Sequence, residues 1–175
     1  EFVVEMNAYR YSLADDSNSD GVPDTGDVTD NGVTPNFAWA TSLAVSSYTP
    51  ASGVEGTLSG GDVALSDWSA GNTNGASAML KYDEVGSIAL QATATDYLGA
   101  SDADIQSLTE KVGRFYPDHF VLRSVTVTPA CSGSFTYMQQ PFSVFEYTLE
   151  ARAAGVVDGT GDTARITHNY DDDSL

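Results

Sequence analysis

The 175-residue chain has few of the side chains on which enzymes and nucleic-acid-binding proteins depend. It contains two His and seven Lys plus Arg, against 25 Asp plus Glu. A formal net charge of −18 repels phosphate backbones and anionic lipid, so nucleic acid and membrane surfaces are poor partners. Divalent cations are the natural counter-charge for so many carboxylates.

Cysteine and long apolar runs are also scarce. Cys131 is the single cysteine, so a disulfide framework within this sequence is excluded, and any covalent partner lies outside it. No segment approaches the roughly 18 consecutive apolar residues of a membrane span, which argues against membrane insertion. The chain opens on an alternating apolar segment instead of a leader, so we expect a piece of a longer precursor.

Motifs of catalysis are missing as well. The sequence has no Gly-x-Ser-x-Gly, no phosphate-binding glycine loop and no His-Glu-x-x-His. His119 and His168 stand far apart and outside any metal-ligand spacing. Paired carboxylates occur throughout so acidic a chain and carry no weight as evidence for a glycosidase. The sequence therefore predicts a protein that is not an enzyme.

Alternation of apolar and polar residues dominates what is present. It predicts strands at 2–11, 76–82 and 87–95, separated by turn signals rich in Gly, Asn and Asp. The pattern predicts an all-β fold: an Ig-like β-sandwich over 1–100, an acidic linker over 101–112 and a second, incomplete Ig-like β module over 113–175. The Asp158–Asp162 stretch predicts a hairpin turn.

The sharpest chemical signal is an acidic loop within residues 15–31. Oxygen-bearing groups recur at the spacing of a calcium loop, with a glycine at the sixth position, and Ca²⁺ prefers six to eight such oxygens. The predicted ligands are Asp16, Asn18, Asp20, the Val22 carbonyl, Asp24 and Asp27. The flanks are strand-like, so the loop resembles thrombospondin type-3 or dockerin-type repeats more than an EF-hand.

Two alternatives stay open for this loop. Asp, Asn and Gly favour turns without any metal, so a solvated acidic loop gives the same composition. Conversely, Asp15, Asp30 and Asn31 could join a second ion in the same loop.

Aromatic side chains raise a different kind of site. Trp68 and Tyr97 are candidate ligand-binding residues, because aromatic faces stack on sugar rings. Trp68 follows Asp67 and precedes a loop rich in Gly and Asn, which favours exposure. Packing in the core is the alternative for both tryptophans, Trp39 above all, since it lies inside an apolar alternation.

A family resemblance covers residues 80–154. The segments that carry it are Gly113–Phe120, Pro129–Cys131, Phe135–Phe142 and Leu149–Ala154. This stretch resembles MshQ-like proteins, bacterial surface proteins associated with the mannose-sensitive haemagglutinin pilus. The resemblance implies tandem Ig-like modules on an exported protein at the cell surface or on a pilus, and it supplies no catalytic residue.

These observations together predict a non-enzymatic, calcium-stabilised module of a bacterial cell-surface or pilus-associated adhesin. Its expected partners are neighbouring modules of the same protein or other surface and pilus subunits, with a glycan as a further candidate. Two alternatives remain. One is a carbohydrate-binding module, and the other is a filament subunit that assembles by strand complementation.

Overall fold

Antiparallel strands account for almost all regular structure in the computed structural model. It describes residues 1–19, 23, 28–69, 75–99, 104–131, 134–155, 157–158, 161–162 and 164–170. The strands are β1 (Phe2–Asn7), β2 (Thr41–Thr49), β3 (Leu58–Ser59), β4 (Asp62–Val63), β5 (Gly75–Tyr82), β6 (Gly86–Ala94), β7 (Ile105–Gln106), β8 (Glu110–Phe115), β9 (His119–Thr128), β10 (Val144–Arg152), β11 (Val157–Asp158) and β12 (Gly161–Asp162). The predicted all-β class is confirmed.

Helical structure in the described residues is limited to three single 3-10 turns. They are Thr29–Asn31, Leu65–Asp67 and Tyr97–Gly99. None of these turns has the length or apolar character needed to cross a bilayer.

The chain divides into two compact units. Unit 1 comprises 1–48, 57–82 and 87–113, and unit 2 comprises 49–56, 83–86 and 114–175. Each unit is therefore assembled from segments that are distant in sequence.

Unit 1 contains two antiparallel sheets, as expected of a sandwich. One has the order β1-β5-β3, and the other has the order β4-β2-β6-β7 with β8 also beside β6. Alternate residues of β5 are buried while those between them are exposed, so this strand has one wet face. The buried apolar side chains of unit 1 include Leu43, Val63, Ala76, Ala78, Leu80, Ile88, Leu90 and Ala94.

The acidic 101–112 stretch contributes strands to that second sheet. In β7, Ile105 lies opposite Ala94 and Gln106 opposite Thr93. The Ser107 amide donates to the Ala92 carbonyl at 2.9 Å, and Asp104 accepts the Asp96 amide at 3.0 Å. Backbone pairing next to β6 orders a segment whose composition alone suggests a linker.

Unit 2 is built on a long two-stranded ribbon of β9 and β10. Pairing runs from Arg152 opposite His119 to Val144 opposite Thr128, with an irregularity between Glu146 and Thr148. Backbone bonds from Thr167 to Ala151 and from Ala153 to Arg165, both 2.9 Å, add a short third segment at one end. The predicted hairpin at 158–162 is confirmed by the pairing of β11 with β12.

Paired and alternating positions give the ribbon two unlike faces. Directly opposite residues in an antiparallel pair share a face, as do residues two apart along a strand. One side, called the polar side below, carries Arg123, Thr126, Glu146, Thr148 and Glu150 together with Val121 and Val144. The other side, called the apolar face below, consists of Phe120, Leu122, Val125, Val127, Phe145, Tyr147 and Leu149.

A buried polar network holds the other segments of unit 2 together. Glu84 is 2% exposed and accepts the backbone amides of Val85 at 2.9 Å and His168 at 3.0 Å. Asn169 is 1% exposed. Its side chain bonds both the amide and the carbonyl of Val54, at 2.7 and 2.8 Å. Buried polar groups need such partners because an unmet bond costs about 1–3 kcal/mol.

Candidate metal centre

The acidic loop follows β1 within unit 1, and backbone bonds join the segments on either side of it. The Arg10 amide donates to the Gly32 carbonyl at 3.1 Å, and the Thr34 amide donates to the Ala8 carbonyl at 2.7 Å. An isolated bridge joins Tyr9 to Val33 between them. Backbone contacts thus hold the two ends of the loop together.

Asp16 is the anchor of the described part of the loop. It is 3% exposed, whereas the residues that follow it, 17–19, are exposed. One carboxylate oxygen accepts the Tyr11 hydroxyl at 2.6 Å, and the other accepts the Ser19 amide at 2.6 Å. Burying a carboxylate is costly without such partners. Both of these donors are neutral, so they contribute hydrogen bonds but no positive charge.

The carboxylate of Asp16 is chemically suited to a calcium ligand. Its two oxygens are of the hard type that Ca²⁺ prefers, and both accept hydrogen bonds from the loop. The bond from Ser19 also holds the turn, in which Ser19 has a φ of 61°.

The structure also brings together two of the residues suggested for a second ion. The Asn31 side-chain amide donates to Asp15 at 2.6 Å across 16 residues of sequence. Asp30 lies beside them, exposed, in the 3-10 turn at 29–31. Asp15, Asp30 and Asn31 therefore stand near the closing end of the same loop.

The remaining predicted ligands are not all described. Asn18 is exposed, while Asp20, Val22, Asp24 and Asp27 lie outside the described residues. Within the part of the chain that the structure does describe, no three His, Cys, Asp or Glu side chains are grouped as metal ligands. The ligand set therefore stays a prediction, and Asp16 is its buried member among the described residues.

A depression at the base of the loop was not foreseen from the sequence. It has a volume of about 510 Å³ and is lined by Tyr9, Arg10, Thr29, Gly32, Val33 and Pro35. Arg10 is the one basic residue among the first 80. A cation at that position, next to an acidic loop, could have been noticed in the sequence, but its contribution to a pocket could not.

Trp68 and Tyr97 are brought near one another through Phe37. The Phe37 ring meets Trp68 at 4.7 Å and 79°, and it stacks on Tyr97 at 5.5 Å and 21°. The Trp68 and Tyr97 planes therefore differ by at least 58°, the difference between those two angles. Both rings are half-buried. Phe37, at 8% exposure, is the centre of this cluster, and Trp39 adds an edge contact to Tyr97 at 5.5 Å.

Cys131 has no cysteine partner in the chain and is half-buried. Its thiol contacts the Gln140 side-chain oxygen at 3.4 Å. No histidine is among its described hydrogen-bond partners, so these contacts give the thiol no base.

The architecture defines the class: an all-β protein of antiparallel sheets. Residues 84–175 match the family described as DUF6701, third domain, which is 92 of the 175 residues. The chain belongs to this family. Glu84 of the buried network is the first residue of the matched region. Neither a curated protein nor a solved structure matches the chain.

Proposed function

We propose that this chain is a calcium-stabilised structural module of a bacterial cell-surface or pilus-associated adhesin, and not an enzyme. The observation that supports calcium binding is the buried Asp16 carboxylate, which lies in an acidic loop whose ends are joined by backbone hydrogen bonds. The surface and pilus part rests on the resemblance of residues 80–154 to MshQ-like proteins. Membership of the DUF6701 family is compatible with that resemblance, but the family match does not by itself identify the chain as MshQ-like.

The loop fits calcium on electrostatic grounds. Residues 15–30 contain Asp15, Asp16, Asp20, Asp24, Asp27 and Asp30 and no basic residue. Six carboxylates within one closed loop repel one another, and this repulsion opposes its compact form. A bound Ca²⁺ would supply two positive charges and accept oxygen ligands at about 2.3–2.6 Å. Asp16, Asn18, Asp20, Val22, Asp24 and Asp27 would hold it.

Location outside the cell suits such a site. Calcium sites of extracellular modules have dissociation constants of about 0.1–1 mM, so they are occupied where free calcium is millimolar. A module of this kind would be stiff in the presence of the ion and looser without it. Stiffness in calcium suits a stalk or adhesin segment, because such a segment must transmit force between its neighbours.

Thermal unfolding with and without calcium tests the proposal. With a dissociation constant of about 0.1 mM, about 10 mM Ca²⁺ stabilises the folded chain by about 2.7 kcal/mol. For a chain of this size that corresponds to a rise in Tm of about 5–10 °C. The measurement is circular dichroism in calcium and in EGTA, with Mg²⁺ as a second ion that prefers a smaller, octahedral shell.

Two variants make the test specific. D16N keeps the side-chain volume but removes the charge and one acceptor, and we expect it to abolish the difference between calcium and EGTA. D62N neutralises an exposed carboxylate in β4 outside the loop, and it should keep the full difference. The comparison between ions is internal to each variant, so any general destabilisation by D16N cancels. A wild-type Tm that is equal in calcium and EGTA would exclude the calcium site.

A carbohydrate-binding module has less support from the geometry. Stacking of a sugar needs an open aromatic surface, whereas Trp68 and Tyr97 are half-buried and steeply inclined to one another. The Trp68 indole nitrogen is itself buried, with no hydrogen-bond partner among the described residues. These rings pack against Phe37 instead.

A further inference from the structure

The apolar face of the β9–β10 ribbon is unusually open to solvent. Each of its seven side chains is between 46% and 59% exposed. Aromatic neighbours extend it at both ends: Phe142 stacks on Phe145 at 6.1 Å, and Tyr170 meets Phe120 at 5.3 Å. Phe142 and Tyr170 are themselves 52% and 47% exposed. The patch is therefore continuous and is not a scatter of single apolar residues.

Its size exceeds what an isolated protein normally exposes. With about 150–250 Å² for each aromatic side chain and less for Leu and Val, the seven residues expose roughly 700 Å². The largest apolar patch on a typical monomer covers about 300–600 Å². A standard interface buries about 800 Å² on each partner. The exposed area is thus close to one side of a stable interface.

The opposite side of the same ribbon carries charged side chains that the apolar face lacks. There, Glu150 accepts hydrogen bonds from Arg123 at 3.3 Å and from Arg152. Thr126, Thr128, Glu146 and Thr148 share that side with His119, Val121 and Val144. None of the seven side chains of the apolar face is charged, which is typical of a sheet face that is buried.

Charge favours association through this part of the chain. Residues 114–170 contain five acidic residues and four Arg, a net charge of −1, whereas residues 1–113 contain 17 acidic and three basic residues, a net charge of −14. Most surfaces of two copies would repel one another. The ribbon lies in the nearly neutral region, and its apolar face carries no charged side chain.

We propose that two copies of this chain associate through the apolar face of the ribbon. Most soluble homo-oligomers are closed two-fold dimers, in which the same patch serves both subunits. Two ribbons would then pack face to face as two layers about 10 Å apart. The two faces together bury about 1,400 Å², within the range of specific interfaces.

Sedimentation equilibrium of the 175-residue chain tests this association. We expect the mass to rise from one chain toward two as concentration increases from about 1 µM to about 300 µM, the weak end for an interface of this size. L149K places a charge in the apolar face and should raise the dimer dissociation constant at least about tenfold. T148K, one residue earlier on the same strand, places the same charge on the polar side and should change it less than about threefold.

Both substituted positions are exposed, so folding should be retained, and circular dichroism verifies it for each variant. A chain that stays monomeric at about 300 µM overturns the proposal and shows that a different molecule covers this face. Equal dimerisation of L149K and wild type overturns it too, because the interface then lies elsewhere. Growth beyond two copies also contradicts it, since open-ended assembly indicates strand addition at a sheet edge.

Discussion

Two glycines at positive φ illustrate how differently single residues constrain this fold. Gly86 has a φ of 117° and Gly99 a φ of 82°, a region that side-chain-bearing residues seldom adopt. A Cβ on Gly86 would stand 2.0 Å from the Thr49 carbonyl oxygen, whereas a Cβ on Gly99 would meet nothing within 4 Å. Gly86 is thus required for two reasons and Gly99 for one.

Alanine substitution separates these two reasons. We expect G99A to cost about 1–2 kcal/mol from backbone conformation alone. G86A should cost about 3 kcal/mol, because the contact with a backbone carbonyl adds an overpacking cost of about 1–3 kcal/mol. Urea unfolding of both variants measures the difference. Equal losses would show that the Thr49 backbone moves aside without a penalty.

Single residues also mark the limit of what the sequence could predict about the site. Spacing singled out Asp16, and the structure shows it buried at the base of a turn. Spacing could not reveal that Tyr11 donates to it, because a hydroxyl partner leaves no pattern. Phe37 was equally hidden: its contacts with Trp68 and Tyr97 join residues 31 and 60 positions away.

At the scale of elements, the irregularity in the ribbon explains a shift of phase in the sequence of β9. Phe120 and Leu122 alternate, and so do Val125 and Val127, but Leu122 and Val125 are three positions apart. An unbroken strand would place the two pairs on opposite faces. The bulge, with Ser124 at a φ of 48°, restores them to one face. The phase shift in the sequence therefore indicates a bulge in β9, but it does not identify the strand that pairs with β9.

Glu150 is a carboxyl group of β10 that pairs with arginine on the polar side. The hydrogen bond from Arg152 holds the pKa of Glu150 below its ordinary value of 4.5, burial opposes this, and the bond from Arg123 lowers it further. A carboxyl group with a lowered folded-state pKa stabilises the fold when ionised. That contribution is complete above the unfolded value and is lost as the pH falls through the folded value.

The expected consequence is an acid sensitivity that depends on Glu150. Between about pH 5 and pH 3 the wild type should lose stability more steeply than E150Q, because the variant has no proton to take up at this position. Urea unfolding at a series of pH values measures the slopes. E146Q, which removes an exposed carboxylate from the same side of the same strand, controls for the loss of one negative charge. Parallel curves for wild type and E150Q would contradict the assignment.

For the whole molecule, alternation was a better guide than composition. The strands predicted at 76–82 and 87–95 correspond closely to β5 and β6, since period-2 patterning reports burial directly. The acidity of 101–112 suggested a linker, yet β7 and part of β8 lie there and pair beside β6. Composition reports solubility but not backbone pairing. The division into two units is likewise beyond local pattern, because each combines distant segments.

Charge is distributed unevenly along the chain, and this has a consequence for its stability. With −14 carried by residues 1–113 and −1 by residues 114–170, self-repulsion is concentrated in the part that contains the acidic loop. Repulsion of this kind destabilises the compact state and weakens as salt screens it. Calcium, if bound in the loop, offsets the same repulsion by binding instead of screening.

Salt and calcium should therefore stabilise the chain in a less than additive way. In EGTA, Tm should rise as NaCl increases from about 20 mM to about 500 mM, because the Debye length falls from about 20 Å to about 4 Å. The same increase in NaCl should raise Tm less at saturating calcium, where the loop charge is already compensated. Replacing NaCl by KCl should leave both increments unchanged, since screening does not distinguish the two cations. A salt increment that is equal with and without calcium would show that the ion and the screening act on different charges, and would separate calcium from the acidic loop.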